Sequence, residues 1–178
     1  IQTGEPYLLF TDTVNNAMPA HQRKLGLSVK QSNLCSEIVL PTGTDHLGNE
    51  RTAVCCLSSL NAEKFLEWKS DPQFLEDVFR FLDNVLEDFI QRAPDEMARA
   101  VYAAKRERSV GLGLMGFHSF LQSQGAPLES AAAKAWNTAM FRHIRKGADA
   151  ASVKLAKERG ACPDAAENGV MARFSHKL

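Results

Sequence analysis

The chain has 178 residues, of which 44% are hydrophobic and 24% charged, which is the composition of an ordinary globular protein. Its 21 basic and 21 acidic residues give a formal net charge of zero, which excludes the broad positive field of a protein that binds nucleic acid or anionic membranes. No apolar run approaches the ~20 residues of a membrane span, and no secretory signal pattern is visible. We therefore expect a cytoplasmic protein of one domain, residues 1–178, with no nucleic-acid or membrane partner.

The first 60 residues are predicted to form strands and loops. Residues 6–11 are an apolar, aromatic run typical of a buried strand. Residues 15–27 contain Asn, Pro and Gly without periodicity, which predicts a loop. Residues 28–40 and 52–60 have strand-like patterns, and the Pro and Gly residues of 41–49 mark a turn between them.

Helices are predicted from residue 61 onward. Apolar residues recur at the 3–4 spacing of an amphipathic helix between 74 and 90, with Asp71 and Pro72 as its start signal and Pro94 as its stop. A short charged helix is predicted over 95–108. An Ala-rich helix follows over 130–159, with Gly160 as its C-terminal signal.

Residues 111–116 match the pattern G-x-G-x-x-G, which is found in dinucleotide-binding loops. That motif needs an apolar strand before it, whereas residues 104–109 are highly charged. We therefore predict that these glycines allow close backbone packing in a bend before a helix.

Cysteine and histidine usage argues against a disulfide framework and against a metal site. Four cysteines are too few for a disulfide-stapled secreted scaffold of this length, and none forms a CxxC pair. The histidines are scattered without ligand spacing, so we predict no bound metal. The cysteines are Cys35, Cys55, Cys56 and Cys162, and the histidines are His21, His46, His118, His143 and His176.

Two cysteine segments could carry chemistry. In an extended chain, Asn33, Cys35 and Glu37 would lie in a row on one face, with neighbours ~6.5–7 Å apart. This places a thiol between an amide and a carboxylate, at the edge of the core that the following aliphatic run forms. The alternative is a strand with one small buried cysteine and polar neighbours. Similarly, Cys55 and Cys56 would face opposite sides of a strand, one in the core and one available to a partner thiol.

Residues 31–38 resemble the N-x-C-x-E active-site motif of the ribonucleotide reductase large (alpha) subunit. Residues 53–61 are similar to the family's A-x-C-x-L-S-x-x-N segment. Residues 108–113 resemble its R-x-x-G-x-G turn, and residues 158–163 resemble its E-x-G-A-C-P stretch. These four segments occur in the family's order and extend over most of the chain.

The resemblance implies part of a ten-stranded α/β barrel that is helix-rich after residue 61, and an enzyme that reduces ribonucleotides to 2′-deoxyribonucleotides. Cys35 would carry the thiyl radical that removes the 3′-hydrogen, inside a barrel that shields it. Glu37 would be the base at the 3′-hydroxyl, and Asn33, Glu37 and Ser32 would bind the substrate. Cys55 would be one of two redox cysteines that finish as a disulfide, whereas Cys162 receives no catalytic role.

Because Ile1 is not Met and no clear helix stop ends the sequence, we expect a piece of a longer polypeptide. The resemblance also implies partners outside this chain. These are the remaining parts of the alpha subunit, thioredoxin or glutaredoxin as reductant, and a metal-containing small subunit as radical source. The alternative radical source is adenosylcobalamin, and no cofactor is expected in this chain. The stretch alone would be inactive. A split or vestigial non-catalytic assembly module is the alternative function, and a plain helical domain would require the four ordered matches to be chance.

Overall fold

The structure, a computed structural model, describes residues 2–175, in which helices pack around one pair of parallel strands. The strands are β1 (Gly43–Thr44), β2 (Glu50–Arg51), β3 (Cys56–Asn61) and β4 (Val110–Met115). The helices are α1 (Thr11–Ala17), α2 (Ala20–Arg23), α3 (Phe65–Trp68), α4 (Phe74–Arg92), α5 (Ala98–Glu107), α6 (Phe117–Ser123), α7 (Ala131–Arg159) and α8 (Pro163–Ala166). Short 3-10 turns at Ala62–Lys64 and Asp95–Met97 precede α3 and α5.

Strands β3 and β4 form a parallel pair in which Cys56 lies beside Val110 and Asn61 beside Met115. Helices α3, α4 and α5 lie in the connection between these strands, as a parallel crossover requires. Alternate residues point to opposite faces, so Leu60, Val110 and Leu112 enter the core. The opposite face is more open and carries the glycines of β4.

The main core lies between the strand pair and the two longest helices, α4 and α7. Leu82 of α4 and Met140 and Leu155 of α7 are almost fully buried there. The two helices approach closely at Gly147, where an added Cβ would overlap the side chain of Leu75. Glycine is therefore required at this crossing, because any side chain would overpack the core.

The helices predicted from the sequence are confirmed, with small shifts at their ends. Ser130 caps α7, since its Oγ accepts a 3.1 Å hydrogen bond from the amide of Ala133. Gly160 follows the last residue of α7. Helix α4 begins two residues after the predicted start at Pro72, and Asp71 instead accepts a hydrogen bond from the amide of Gln73.

The predictions for the N-terminal part were wrong in two places. Residues 6–11 do not form a buried strand: Tyr7, Leu8 and Phe10 are 65–74% exposed, and no strand among the described residues offers them hydrogen bonds. A short apolar run does not specify which strand it would pair with, so periodicity alone could not determine its secondary structure. Residues 15–27 are not a loop, since α1 ends and α2 lies within them.

The glycine-rich segment is also corrected, because it forms β4 rather than a bend. The charged residues before it belong to α5, and the chain turns at Arg108, whose φ is 44°. A charged helix thus directly precedes the strand. The sequence prediction failed here because it required an apolar segment before the glycines. Only then does Gly116, with a φ of 74°, begin α6.

The described residues show an α/β fold that is rich in helix after residue 61, as predicted, but they contain no closed barrel. The first 60 residues contain less strand than predicted, since β1 and β2 have two residues each. No helix in residues 2–175 is long and apolar enough to cross a membrane. His176, one of the five histidines considered above, lies outside the described residues.

Candidate active site

Residues 31–38 form a closed turn rather than the predicted extended row. Asn33 donates from Nδ2 to Oε1 of Glu37 at 2.7 Å, and its Oδ1 accepts from the amide of Ile38 at 3.1 Å. Ser36 has a φ of 62°, in the left-handed region that reverses the chain. In an extended strand the side chains of Asn33 and Glu37 would be ~13 Å apart. The alternation argument was therefore wrong about geometry, although it selected residues that the turn does bring together.

Ser32 stabilises the same turn. Its Oγ donates to the carbonyl oxygen of Ile38 at 2.7 Å and lies 3.2 Å from Oδ1 of Asn33. The side chains of residues 32 and 33 thus stabilise the turn through hydrogen bonds. The turn presents Cys35 at its tip.

Cys35 is exposed in this chain, contrary to the expectation that it would be shielded at the edge of a core. The neighbouring Leu34 is 87% exposed. The reason is local: the turn projects away from the main core, and no described element packs over its tip. A buried, inert cysteine was the alternative reading of this segment, and the exposure of Cys35 argues against it.

A cavity of about 180 Å³ lies between the Cys35 turn and the open face of the strand pair. It is lined by Glu37 and Ile38 of the turn, by 57–59 of β3 and by 111–113 of β4. Its volume is below the ~300–1,000 Å³ of typical small-molecule pockets, so it can hold only one part of a nucleotide-sized ligand.

Gly113 of β4 leaves room for the side chain of Ser59 beside this cavity. Gly113 lies directly beside Ser59 in the parallel register, and a Cβ on Gly113 would lie 3.0 Å from Oγ of Ser59. Gly111 lies beside Leu57 on the same face. Both glycines thus lie in a strand that lines the cavity, and not in a phosphate-binding turn.

Cys55 immediately precedes β3 and is half-buried. Burial, with further contributions from Cys56 and from the Glu37 carboxylate, raises the pKa of the Cys55 thiol to about 11. The negative charge of Glu37 is the smallest of these three contributions. At neutral pH Cys55 is a thiol rather than a thiolate.

The neighbouring Cys56 is also half-buried, so neither residue is the fully buried core cysteine that the sequence predicted for one of them. Its Sγ lies 3.5 Å from the carbonyl oxygen of Leu82 in α4. Burial, and then the negative charge of Asp83, raise the pKa of the Cys56 thiol. Cys56 therefore faces the core side of β3, where it contacts the helix layer.

Cys162 is fully buried and does not line the cavity beside Glu37. Burial is the largest cause that raises the pKa of this thiol to about 11. Cys35, Cys55, Cys56 and Cys162 are all free thiols. Among the residues described, no cluster of His, Cys, Asp or Glu is arranged to hold a metal ion.

Sequence reasoning missed two buried ionic groups. Asp83 of α4 is fully buried and accepts hydrogen bonds from Arg108, Arg159 and Arg173. Burial opposes ionisation of Asp83, but the bonds from these arginines hold its pKa below the ordinary value. The three arginines come from distant parts of the chain. The sequence contained no periodic signal that could pair them with Asp83.

The second missed group is the buried Arg51, which lies between two carboxylates. Its Nε donates to Asp45 at 2.8 Å, and its Nη1 and Nη2 donate to Asp164 at 2.5 and 3.1 Å. Nearby, the fully buried carboxyl of Glu107 has no cation in hydrogen-bond contact among the described residues. It accepts instead from Ser109 at 2.9 Å and from Gln22 at 3.4 Å.

The fold and site together define an α/β domain in which a thiol-bearing turn and a carboxylate border a parallel strand pair. Comparison with known proteins identifies its family. A model of the ribonucleotide reductase barrel domain matches residues 1–175. The chain is 47% identical over 175 residues to the ribonucleoside-diphosphate reductase large subunit of Invertebrate iridescent virus 3, covering 98% of the chain and 27% of that protein.

Two further relatives differ in their named class. The chain is 33% identical over 162 residues to a vitamin B12-dependent ribonucleoside-diphosphate reductase of Mycobacterium tuberculosis, covering 90% of the chain and 22% of that protein. The solved Actinobacillus ureae class Id ribonucleotide reductase alpha subunit superposes with a TM-score of 0.88 at 34% identity, over 98% of the chain and 32% of that subunit. The chain therefore belongs to the ribonucleotide reductase family and has its type of α/β fold. It spans between 22% and 32% of the length of these relatives.

Proposed function

We propose that this chain is part of the catalytic domain of a ribonucleotide reductase large subunit, which reduces ribonucleotides to 2′-deoxyribonucleotides. The observation that carries the proposal is the cavity at which the Glu37 turn meets β3 and β4. Three segments that resemble the family meet there, although they lie far apart in sequence. The family match supports the same activity.

The residues of the turn take distinct roles in this reaction. Cys35 carries the thiyl radical that removes the 3′-hydrogen of the ribose. Glu37 accepts the proton of the 3′-hydroxyl, which assists departure of the 2′-hydroxyl as water. Asn33 and Ser32 contact the substrate, and Asn33 also orients Glu37 through the 2.7 Å hydrogen bond.

Cys55 supplies reducing equivalents together with a second cysteine from another segment. Two thiols become one disulfide, which delivers two electrons and two protons, while the 2′-oxygen leaves as water and Cys35 regains its hydrogen atom. The raised pKa of Cys55 supports this role, because it keeps the hydrogen on sulfur until the step occurs. Thioredoxin or glutaredoxin would then reduce the disulfide.

We further propose that residues 1–178 belong to a single domain, the central to C-terminal part of a ten-stranded barrel in which β3 and β4 are neighbours. Parallel sheets are almost always buried on both faces, which supports additional cover for this pair. A thiyl radical also needs a site without water and other thiols. The remaining barrel would supply that cover over Cys35.

The radical source would be a metal-containing small subunit, with adenosylcobalamin as the alternative. The relatives named as large or alpha subunits support a separate small subunit, and the vitamin B12-dependent relative supports the alternative. We place the protein in the cytoplasm, because a pool of reduced dithiols is available there.

The test is ribonucleotide reduction by the intact native polypeptide with its radical source and a dithiol reductant. Cys35→Ser should abolish product formation, and Cys55→Ser should abolish turnover. Cys56→Ser and Cys162→Ser are matched controls that should keep most of the activity. An assembly module without catalysis would instead show no activity in the wild-type protein under conditions in which it binds the other subunits, and that outcome would overturn the proposal.

A further inference from the structure

A second, larger cleft lies on the other side of the core, beside α4, the end of α7 and the segment that follows it. Its volume is about 540 Å³. Four basic residues and two acidic residues line it, so the lining carries two more positive than negative charges. The basic residues are Lys105, Arg108, Arg159 and Arg173, and the acidic residues are Asp83 and Glu87.

Asp83 holds the guanidinium groups of this cleft in fixed positions. Its Oδ1 accepts from Arg108 at 2.7 Å, and its Oδ2 accepts from Arg159 at 2.7 Å. Arg173 donates from Nε to both oxygens, at 3.0 and 3.2 Å. One buried carboxylate therefore orders three cations. Glu87 also accepts from Nη1 of Arg108 at 2.8 Å, so the two carboxylates together compensate two of the three arginine charges.

Several donors in the cleft have no acceptor among residues 2–175. Arg159 uses only Nη1, which donates to Asp83 and Asn84, so its Nε and Nη2 have no partner within residues 2–175. Arg173 uses Nε and Nη1 but not Nη2. Lys105 is exposed at the rim and makes no ion pair within the same range.

This arrangement matches the chemistry of an oxyanion ligand. Guanidinium groups present planar, paired donors that fit phosphate oxygens, and an ammonium adds a mobile point charge. A side chain that is already ordered loses less conformational entropy when it binds, so the contacts to Asp83 favour binding. Neutralising Asp83 and Glu87 would need two cations, whereas four basic residues line the cleft.

We propose that this cleft binds a polyvalent oxyanion of the phosphate or pyrophosphate class, at a site separate from the cavity beside Glu37. Arg159 and Arg173 donate to its oxygens and Lys105 closes over it from the rim. The ligand would be either a free oxyanion or the phosphate chain of a nucleotide.

The test is isothermal titration of the intact native polypeptide with inorganic pyrophosphate, against chloride at matched ionic strength. Lys105→Gln removes one cation that makes no ion pair, and it should weaken pyrophosphate binding about tenfold, as expected for one charge-assisted contact. Lys134→Gln makes the same charge change on an exposed helix position outside the cleft and should leave the affinity unchanged. The loss in Lys105→Gln itself separates this site from the proposed catalytic one, because Lys105 does not line the cavity beside Glu37.

Absence of pyrophosphate binding would overturn the proposal. Equal weakening by Lys105→Gln and Lys134→Gln would also overturn it, because the binding would then reflect net charge alone. A parallel titration with ADP and ATP distinguishes the two ligand sources. If the nucleotides bind this cleft more tightly than pyrophosphate, with the same loss in Lys105→Gln, the ligand is a nucleotide; equal or weaker binding assigns a free oxyanion.

Discussion

The amide of Asn33 donates a 2.7 Å hydrogen bond to the carboxylate of Glu37, across the turn that carries Cys35. The same amide group anchors the turn, because its oxygen accepts from the backbone of Ile38. The carboxylate is therefore oriented by the residue that also shapes the loop. This relationship gives Asn33 a positioning role in the proposed reaction, in addition to contact with substrate.

Replacing Asn33 by alanine should lower kcat for ribonucleotide reduction about 10–100-fold, because a hydrogen bond to a charged group contributes ~1.5–3 kcal/mol. The measurement is steady-state turnover by the intact enzyme, with kcat and KM separated. Gln31→Ala changes an exposed residue beside the turn and serves as the control. A loss confined to KM would contradict the positioning role.

The coupling between Glu37 and Cys55 predicts a change in thiol reactivity. Burial is the main cause that raises the pKa of Cys55 to about 11, and the Glu37 carboxylate is the smallest of three causes, so Glu37→Gln should lower that pKa slightly and increase the thiolate fraction at pH 8. The alkylation rate of Cys55 by iodoacetamide, followed by peptide mass spectrometry, should rise measurably, while burial keeps it below the rate of an exposed cysteine. The rate at the buried Cys162 should not change. Equal rates at Cys55 in both proteins would show that the coupling is absent.

Asp83 should be among the most sensitive positions for stability. Asp83→Ala leaves three arginines without their shared carboxylate, and breaking a buried ion pair costs ~3–5 kcal/mol. The measurement is the free energy of unfolding in urea. Asp88→Ala in the same helix is the matched control, since its pair with Arg92 is solvent-exposed and contributes ~0–1 kcal/mol. Similar losses in the two variants would refute the central role of Asp83.

The sequence predicted helices well and the strand segments poorly, and the reason is physical. Helix α7 carries its own cap at Ser130 and its own stop at Gly160, so local residues define its ends. A strand needs a partner, and the partner of β3 is β4, which begins about 50 residues later. Residues 6–11 have the same apolar character as a strand and no partner among the described residues.

The candidate site was likewise predictable where it depends on local sequence and unpredictable where it depends on the folded backbone or on distant residues. Cys35, Glu37 and Asn33 could be selected from residue type and from the resemblance to a family, because both are local properties of the sequence. Their hydrogen-bonded turn could not be predicted, since it depends on the left-handed backbone of Ser36. Nor could the pairing of Asp83 with Arg173, which lies 90 residues away.

Glu107 should make stability depend on pH near neutrality. Burial raises the pKa of this carboxyl to about 7, above its ordinary value of 4.5, although the Ser109 hydrogen bond and the charge of Arg51 act in the opposite direction. The folded protein therefore holds a proton that the unfolded chain releases. The corresponding stabilisation is fully present below about pH 4.5 and is lost as pH rises through 7, with a total on the order of 3 kcal/mol. Glu107→Gln, which does not titrate, should remove this dependence.

The measurement is the free energy of unfolding between pH 5.5 and 8.5, with the exposed Glu96→Gln as control. Parallel curves for the wild-type protein and Glu107→Gln would contradict a proton on Glu107.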